Sequence, residues 1–233
     1  MSTLDDLLDD IFDGQRPAFY PEFVGWVRGS RRYRAFALSY RTKIRAKLKH
    51  VGDEAGLLDL RAELETAAQL LREDRFTLEY ETYAAAKQRG PDFTVTFKTH
   101  TPFNVEVRRI RSMELDDADA EARSAKLTAV LCDKVGQMPP GIVNLLWLAA
   151  EDTISTADLG RAATSLRQLA EHKDEAYFTR RGFESAAGFL KQYARLSGIV
   201  LHHPDENVLW LNALARHKTP PQIVTAIERL RTD

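Results

Sequence analysis

The stretch Pro91-Asp92-Phe93-Thr94-Val95-Thr96-Phe97-Lys98-Thr99-His100-Thr101-Pro102-Phe103-Asn104-Val105-Glu106-Val107-Arg108 decides how this chain folds. It reads as two strands, Asp92 to Lys98 and Phe103 to Arg111, with Thr99-His100-Thr101-Pro102 as the turn, and so short a turn favours an antiparallel pair. Side chains two apart on a strand share a face, which sends Asn104, Glu106 and Arg108 one way and Val105 and Val107 the other. The hairpin brings two carboxylates, Asp92 and Glu106, to one end of a sheet, where their oxygens suit a hard divalent cation.

Working outward, Phe76, Leu78 and Tyr80 alternate with Thr77, Glu79 and Glu81 as in a half-buried strand. Before it, Leu57, Leu60, Leu64, Ala67, Ala68 and Leu71 gather on one face of a helix expected from Asp53 to Asp74. A helix from Asp117 to Gln137 follows the hairpin and is stopped by Met138-Pro139-Pro140-Gly141. Ile142 to Ala149 is nearly all apolar, the pattern of a strand covered on both faces. Ser155 and Asp158 form a capping box for a helix reaching Glu171, and Glu184 to Leu196 is another helix. Gly198 to His202 and Val208 to Leu211 read as edge strands joined by Pro204-Asp205-Glu206-Asn207, and Pro220-Pro221 opens a last helix. The fold class is therefore α/β (α+β), a central mixed sheet flanked by helices, in the order helix, three strands, helix, strand.

Charge is segregated near the amino terminus. Residues 1 to 22 carry six acids against one base, Arg16, whereas residues 23 to 52 carry nine bases and no acid. A short acidic helix from Leu4 to Phe12 is expected, then an interruption at Pro17 and Pro21, then a basic helix from Ser30 to Lys49. Residues 1–52 read as a helical arm and 53–233 as the core with a helical C-terminal extension, the two forming one compact unit. Arg31, Arg32, Arg34, Arg41, Lys43, Arg45 and Lys47, interleaved with Tyr33, Phe36 and Tyr40, are candidates for tracking a phosphate backbone. The competing account has the aromatics pack inward while the bases are merely solvated.

The order of elements, with Asp92 at the second strand and Glu106-x-Arg108 on the third, resembles the PD-(D/E)xK nuclease superfamily, the restriction-endonuclease-like fold, over residues 53 to 150. The resemblance implies a Mg²⁺- or Mn²⁺-dependent hydrolysis of phosphodiester bonds in nucleic acid, DNA in the first place. Asp92 and Glu106 would be the metal ligands, and an acid from the first core helix would join them, Glu63 in preference to Glu65. Arg108 stands where the motif has lysine. Arginine supplies charge and hydrogen bonds but stays protonated, so it cannot act as a base. It could also pair with Asp92 or Glu106 and fill the space of a metal, which leaves a second account: a degenerate nuclease fold acting as a nucleic-acid-binding or protein-interaction module. The bland account of the hairpin is turn chemistry and a cross-strand ion pair.

The remaining signals exclude more than they add. A single cysteine, Cys132, rules out an intramolecular disulfide framework and fits a reducing, cytoplasmic setting. No apolar run approaches the roughly 20 residues needed to span a bilayer. Lys98 lies too far along its strand from Asp92 to replace the motif lysine. His202 and His203 are adjacent on a strand, so their rings diverge, and Trp147, Trp210 and Phe189 are expected in the core. The arm also suits self-association, so a homodimer is open.

Overall fold

A computed structural model of the chain describes residues 3–83, 90–110, 120–150, 154–203 and 207–230. Three helices come first: α1 (Leu4–Phe12), α2 (Tyr20–Gly29) and α3 (Arg31–His50). Then follow α4 (Glu54–Leu70), β1 (Phe76–Tyr80), β2 (Phe93–Phe97), β3 (Thr101–Ile110), α5 (Ala120–Val135) and β4 (Val143–Ala150). The remainder is α6 (Thr156–Glu171), α7 (Glu175–Thr179), α8 (Ala186–Tyr193), β5 (Leu196–His202), β6 (Asn207–Leu211) and α9 (Pro221–Glu228). Arg111, residues 117–119 and Pro204-Asp205-Glu206, to which the sequence assigned element ends and a connection, lie outside the described residues.

The six strands form one mixed sheet in the order β1-β2-β3-β4-β5-β6. β1, β2 and β3 are antiparallel neighbours, β3, β4 and β5 run parallel, and β6 returns antiparallel to β5. Parallel pairs require crossovers, which α5 supplies between β3 and β4 and α6 to α8 supply between β4 and β5. Helices therefore cover both faces. Phe93, Val95, Phe103, Val105, Val107, Leu145, Trp147 and Val200 face a cluster built with α1, α2, α3, α4 and α9. Leu146, Leu148, Ile199 and Leu201 face a second cluster built with α5, α6 and α8.

Four expectations need correction. Pro21 does not interrupt the chain but occupies the first turn of α2, where its missing N–H has no helical partner to lose. The hairpin turn is Lys98 to His100, because Thr101 and Pro102 already pair with Phe97 and Thr96; β4 begins opposite Phe103, so Pro102 has no ladder bond to forfeit on its other side. β5 is not an edge strand: it lies between β4 and β6 and is buried throughout. The helix expected to reach Leu196 ends at Tyr193, and Leu196 opens β5.

The N-terminal helices pack onto the sheet rather than extending from it. α1 buries Leu7, Leu8, Ile11 and Phe12, and Phe12 meets Phe19, Tyr20 and Phe23 at ring distances of 6.2, 4.9 and 5.1 Å. Four such side chains contribute about 6–12 kcal/mol of apolar burial at most. That holds α1 firmly against α3.

Candidate functional site

β2 begins at Phe93, opposite Val105, so the N–H of Val107 has no strand partner on that side. The Asp92 carboxylate takes its place, accepting that N–H at 2.7 Å. Just across the same end, Glu81 adopts a left-handed backbone (φ 51°) and its N–H donates to the Asp92 carbonyl at 2.7 Å. A non-glycine residue held in this region is a strained feature of the kind that gathers at functional sites.

Glu106 sits one position past this pair on β3 and is 5% exposed, so the polar face of β3 is covered rather than solvated. The parallel crossover lays α5 over that face, and Lys134 Nζ meets Glu106 Oε1 at 2.5 Å. From the opposite layer, α4 brings Glu63 to the same sheet end, where its Oε2 accepts from Tyr80 Oη at 2.6 Å and from Lys47 Nζ at 2.5 Å. Lys47 also pairs with Glu81 at 2.8 Å. One turn earlier on α3, Lys43 donates to the carbonyls of Tyr80 and Glu81 at 2.8 and 3.3 Å.

These groups feel one another's charge. Desolvation pushes the Asp92 carboxyl well above the usual carboxylate range, and Glu63 and Glu106 add to the push, against the Val107 N–H and Lys47. Glu106 is raised by desolvation as well, with Lys134 opposing and Glu63 adding. Burial, then Glu63, drives the Tyr80 phenol far above its ordinary value. Burial works against the Lys47 ammonium, yet Glu63, Glu81 and Asp92 together hold its pKa up.

Of the two helix acids considered, Glu63 joins Asp92 and Glu106. Glu65 faces the other way, 3.3 Å from Arg61 and 4.0 Å from His202 Nε2. Arg108 bonds to neither site carboxylate; Asp92 is taken by Val107 and Glu106 by Lys134. Among the described residues no group of three or more His, Cys, Asp or Glu side chains is placed to hold a metal ion. The free oxygens are Asp92 Oδ1 and Glu106 Oε2, and a two-carboxylate donor set with retained waters is the habit of Mg²⁺.

The bases of the arm have other engagements. Arg32 donates to the carbonyls of Leu71 at 2.6 Å, Glu73 at 2.8 Å and Phe76, so it ties the end of α4 to the start of β1. Arg34 donates to Val27 O. Arg41 and Arg45 pair with Asp10 at 2.9 and 3.2 Å, and Arg45 and Lys49 with Asp13 at 2.9 and 3.1 Å. With Lys43 and Lys47 turned to the site, Arg31 is the one residue of the seven candidates without a partner among the described residues, and it is exposed, as is Arg28. Exposed ion pairs such as those of Arg41 are individually weak, but the aspartates of α1 set negative charge where phosphates would have to lie.

Lys134 escaped sequence reasoning, although a signal for it exists. It falls on the apolar stripe of α5, between Leu131 and Val135 and one turn after Val130, and a lysine in such a stripe needs a buried anion. Tyr80 and Glu81 were legible only as strand alternation. His202 is buried, 2.7 Å from Asn207 Oδ1 and packed on Trp147, which is structural company. No helix of the described residues is long and apolar enough to cross a membrane. Against family models, curated proteins and solved structures the chain has no match.

Proposed function

We propose that the chain is a metal-dependent nuclease-like hydrolase of nucleic acid, of PD-(D/E)xK type. The observation that carries this is the convergence of Glu63, Asp92 and Glu106, from α4, the start of β2 and β3, on one sheet end with Lys134 and Lys47 among them. Holding like charges together in a desolvated place is costly unless a cation compensates them. Within the cluster four carboxylates, counting Glu81, face three ammonium groups, those of Lys43, Lys47 and Lys134, which leaves an excess of negative charge when all are ionised. A bound cation would offset that excess.

Asp92 and Glu106 would hold the ion, with Glu63 approaching from α4. Bound there, Mg²⁺ or Mn²⁺ would polarise a phosphoryl oxygen and lower the pKa of an attacking water. Lys134 opposes the upward push on Glu106 and holds it in place, and its ammonium would supply the charge that the motif expects of a lysine. Arg108, on the same face of β3 two residues beyond Glu106, is a guanidinium with donors to spare for a phosphate. The succession α4-β1-β2-β3-α5-β4 supports the fold resemblance.

Titration of purified protein with Mn²⁺, followed by calorimetry and electron paramagnetic resonance, tests the proposal. Binding is expected in the wild type and lost in Asp92→Ala, with metal-dependent cleavage of labelled DNA or RNA lost in parallel. A wild-type protein that neither binds Mn²⁺ nor cleaves any nucleic acid sinks the catalytic form.

The second reading, a module that has lost hydrolysis, is favoured by one observation: both lysines already answer the carboxylates without a metal. It expects salt-sensitive DNA binding that ignores Mg²⁺ and weakens in Arg31→Glu.

A further inference from the structure

Asn104 precedes Glu106 by two residues and is fully buried, yet none of its polar groups is idle. Its Oδ1 accepts from Thr94 Oγ1 at 3.1 Å, and its Nδ2 donates to Asn144 Oδ1 at 3.0 Å and to Tyr83 Oη at 3.2 Å. Thr94 in turn accepts from Thr82 Oγ1 at 3.2 Å. Asn144 donates onward to the carbonyls of Pro139, Ile142 and Arg195. A side-chain ladder thus runs across β2, β3 and β4 and ends at one half-buried tyrosine.

The ring of that tyrosine lies on Gly90. A Cβ built there would fall 2.4 Å from Tyr83 Cγ, 2.5 Å from its Cβ and 2.7 Å from its Cδ2, distances no side chain tolerates. Gly90 is followed by buried Pro91, whose ring fixes φ, and then by Asp92. A buried, fully satisfied polar ladder specifies one arrangement. Here it specifies where the strand that follows Asp92 begins.

We propose that Tyr83 is a positioning residue for Asp92: bonded through its hydroxyl to Asn104 and seated against Gly90, it aligns Pro91-Asp92 so that the carboxylate reaches the Val107 N–H and presents its other oxygen to the site. The consequence for metal binding rests on the function proposed above; the structural half does not. The ring sets the approach of Gly90, and the hydroxyl bond to Asn104 is a secondary restraint on it.

The Val107 amide proton reports directly on Asp92. Its hydrogen exchange and chemical shift are measured by NMR in wild type, Asp92→Ala, Tyr83→Phe, Tyr83→Leu and Gly90→Ala, with the amides of Val95 and Phe103 as internal controls in the same hairpin. Asp92→Ala, Tyr83→Leu and Gly90→Ala are expected to exchange Val107 about tenfold faster, the release of one charge-assisted bond, while the controls hold. Tyr83→Phe keeps the ring and is expected to stay within about threefold of wild type. If Gly90→Ala does not fold, the contrast between Phe and Leu at position 83 decides the question. Mn²⁺ affinity is expected to fall about tenfold in Tyr83→Leu and hold in Tyr83→Phe. A Val107 amide unmoved by Tyr83→Leu overturns the inference. Mn²⁺ binding absent from the wild type overturns the proposed function instead, and the amide alone then decides the role of Tyr83.

Discussion

Replacing Lys134 by Met removes an ammonium and keeps an apolar stem of similar length. Its partner Glu106 has a side chain 6% exposed, against 19% for Lys134, and the two are 2.5 Å apart. Stranding one member of a buried pair costs about 3–5 kcal/mol. Two features pull the value towards the lower end. Lys134 keeps some solvent, and Glu106 can relieve the cost by taking up a proton. Its carboxyl already titrates high because desolvation outweighs Lys134, so without the lysine it titrates higher still. An acid whose folded pKa exceeds its unfolded one contributes stability below the unfolded value and loses it as pH rises through the folded value. The variant should therefore match wild type most closely near pH ~4, the ordinary range of glutamate, and fall progressively behind as pH rises.

Near pH ~8 the expected deficit is about 3 kcal/mol, or about 6–12 °C in Tm for a chain of this size. Urea denaturation at pH ~8 and pH ~5 of wild type, Lys134→Met, Glu106→Gln and the double variant measures it. The double variant should recover most of the loss at the higher pH, giving a coupling of about 2 kcal/mol or more between neighbours that share a bond. A Lys134→Met protein as stable as wild type at pH ~8, or with the same deficit at both pH values, would refute the claim that this ammonium sustains the Glu106 charge.

Three further outcomes follow from the packing. Arg32→Met should cost about 3 kcal/mol in urea denaturation, since three carbonyls between the end of α4 and the start of β1 lose a charged donor, whereas exposed Arg31→Glu should stay within about 0.5 kcal/mol. Phe12→Ala should destabilise by about 3–5 kcal/mol at any salt concentration, while Arg41→Ala should cost under about 1 kcal/mol and only at low salt; the reverse ranking would mean that α1 is held by charge rather than by its apolar face. Gly198→Ala should cost about 1–3 kcal/mol by thermal denaturation, because its Cβ would meet the Trp210 carbonyl at 2.9 Å and push β6 from β5; full stability would show that the edge strand yields.

The central elements were legible because each carries its own period. The alternation around Phe76 to Tyr80, the apolar run before Ala149 and the stripe of α4 are local patterns, and the sheet assembled from them in the expected order. What was not legible depended on partners distant in sequence. The run Gly198 to His202 is short, so its length suggested an edge; its continuous apolarity, which reports two covered faces, was the better guide. The partners of the arm were illegible for the same reason. Density of charge is visible in sequence, but whether Arg45 meets a phosphate or Asp10 and Asp13 depends on where α1 docks, and four apolar residues of α1 decide that. Glu63 and Glu65 are equivalent flanks of one stripe until the sheet end lies beneath one of them.

Arg108 took the weight of the functional question in the sequence because the motif is written along a single strand. In the fold the charge next to Glu106 comes instead from α5, and the topology explains why. β3 and β4 are parallel, so the chain must cross over between them, and the crossover helix is laid on the even-numbered face of β3 from which Glu106 projects. α4 is laid on the opposite layer and reaches the same sheet end with Glu63. A carboxylate cluster at that end is thus within reach of lysines from both layers, Lys134 from one and Lys47 from the other, whatever residue stands at position 108. Whether the cluster does chemistry then turns less on arginine replacing lysine than on whether a divalent cation can compete with the ammonium groups already in place.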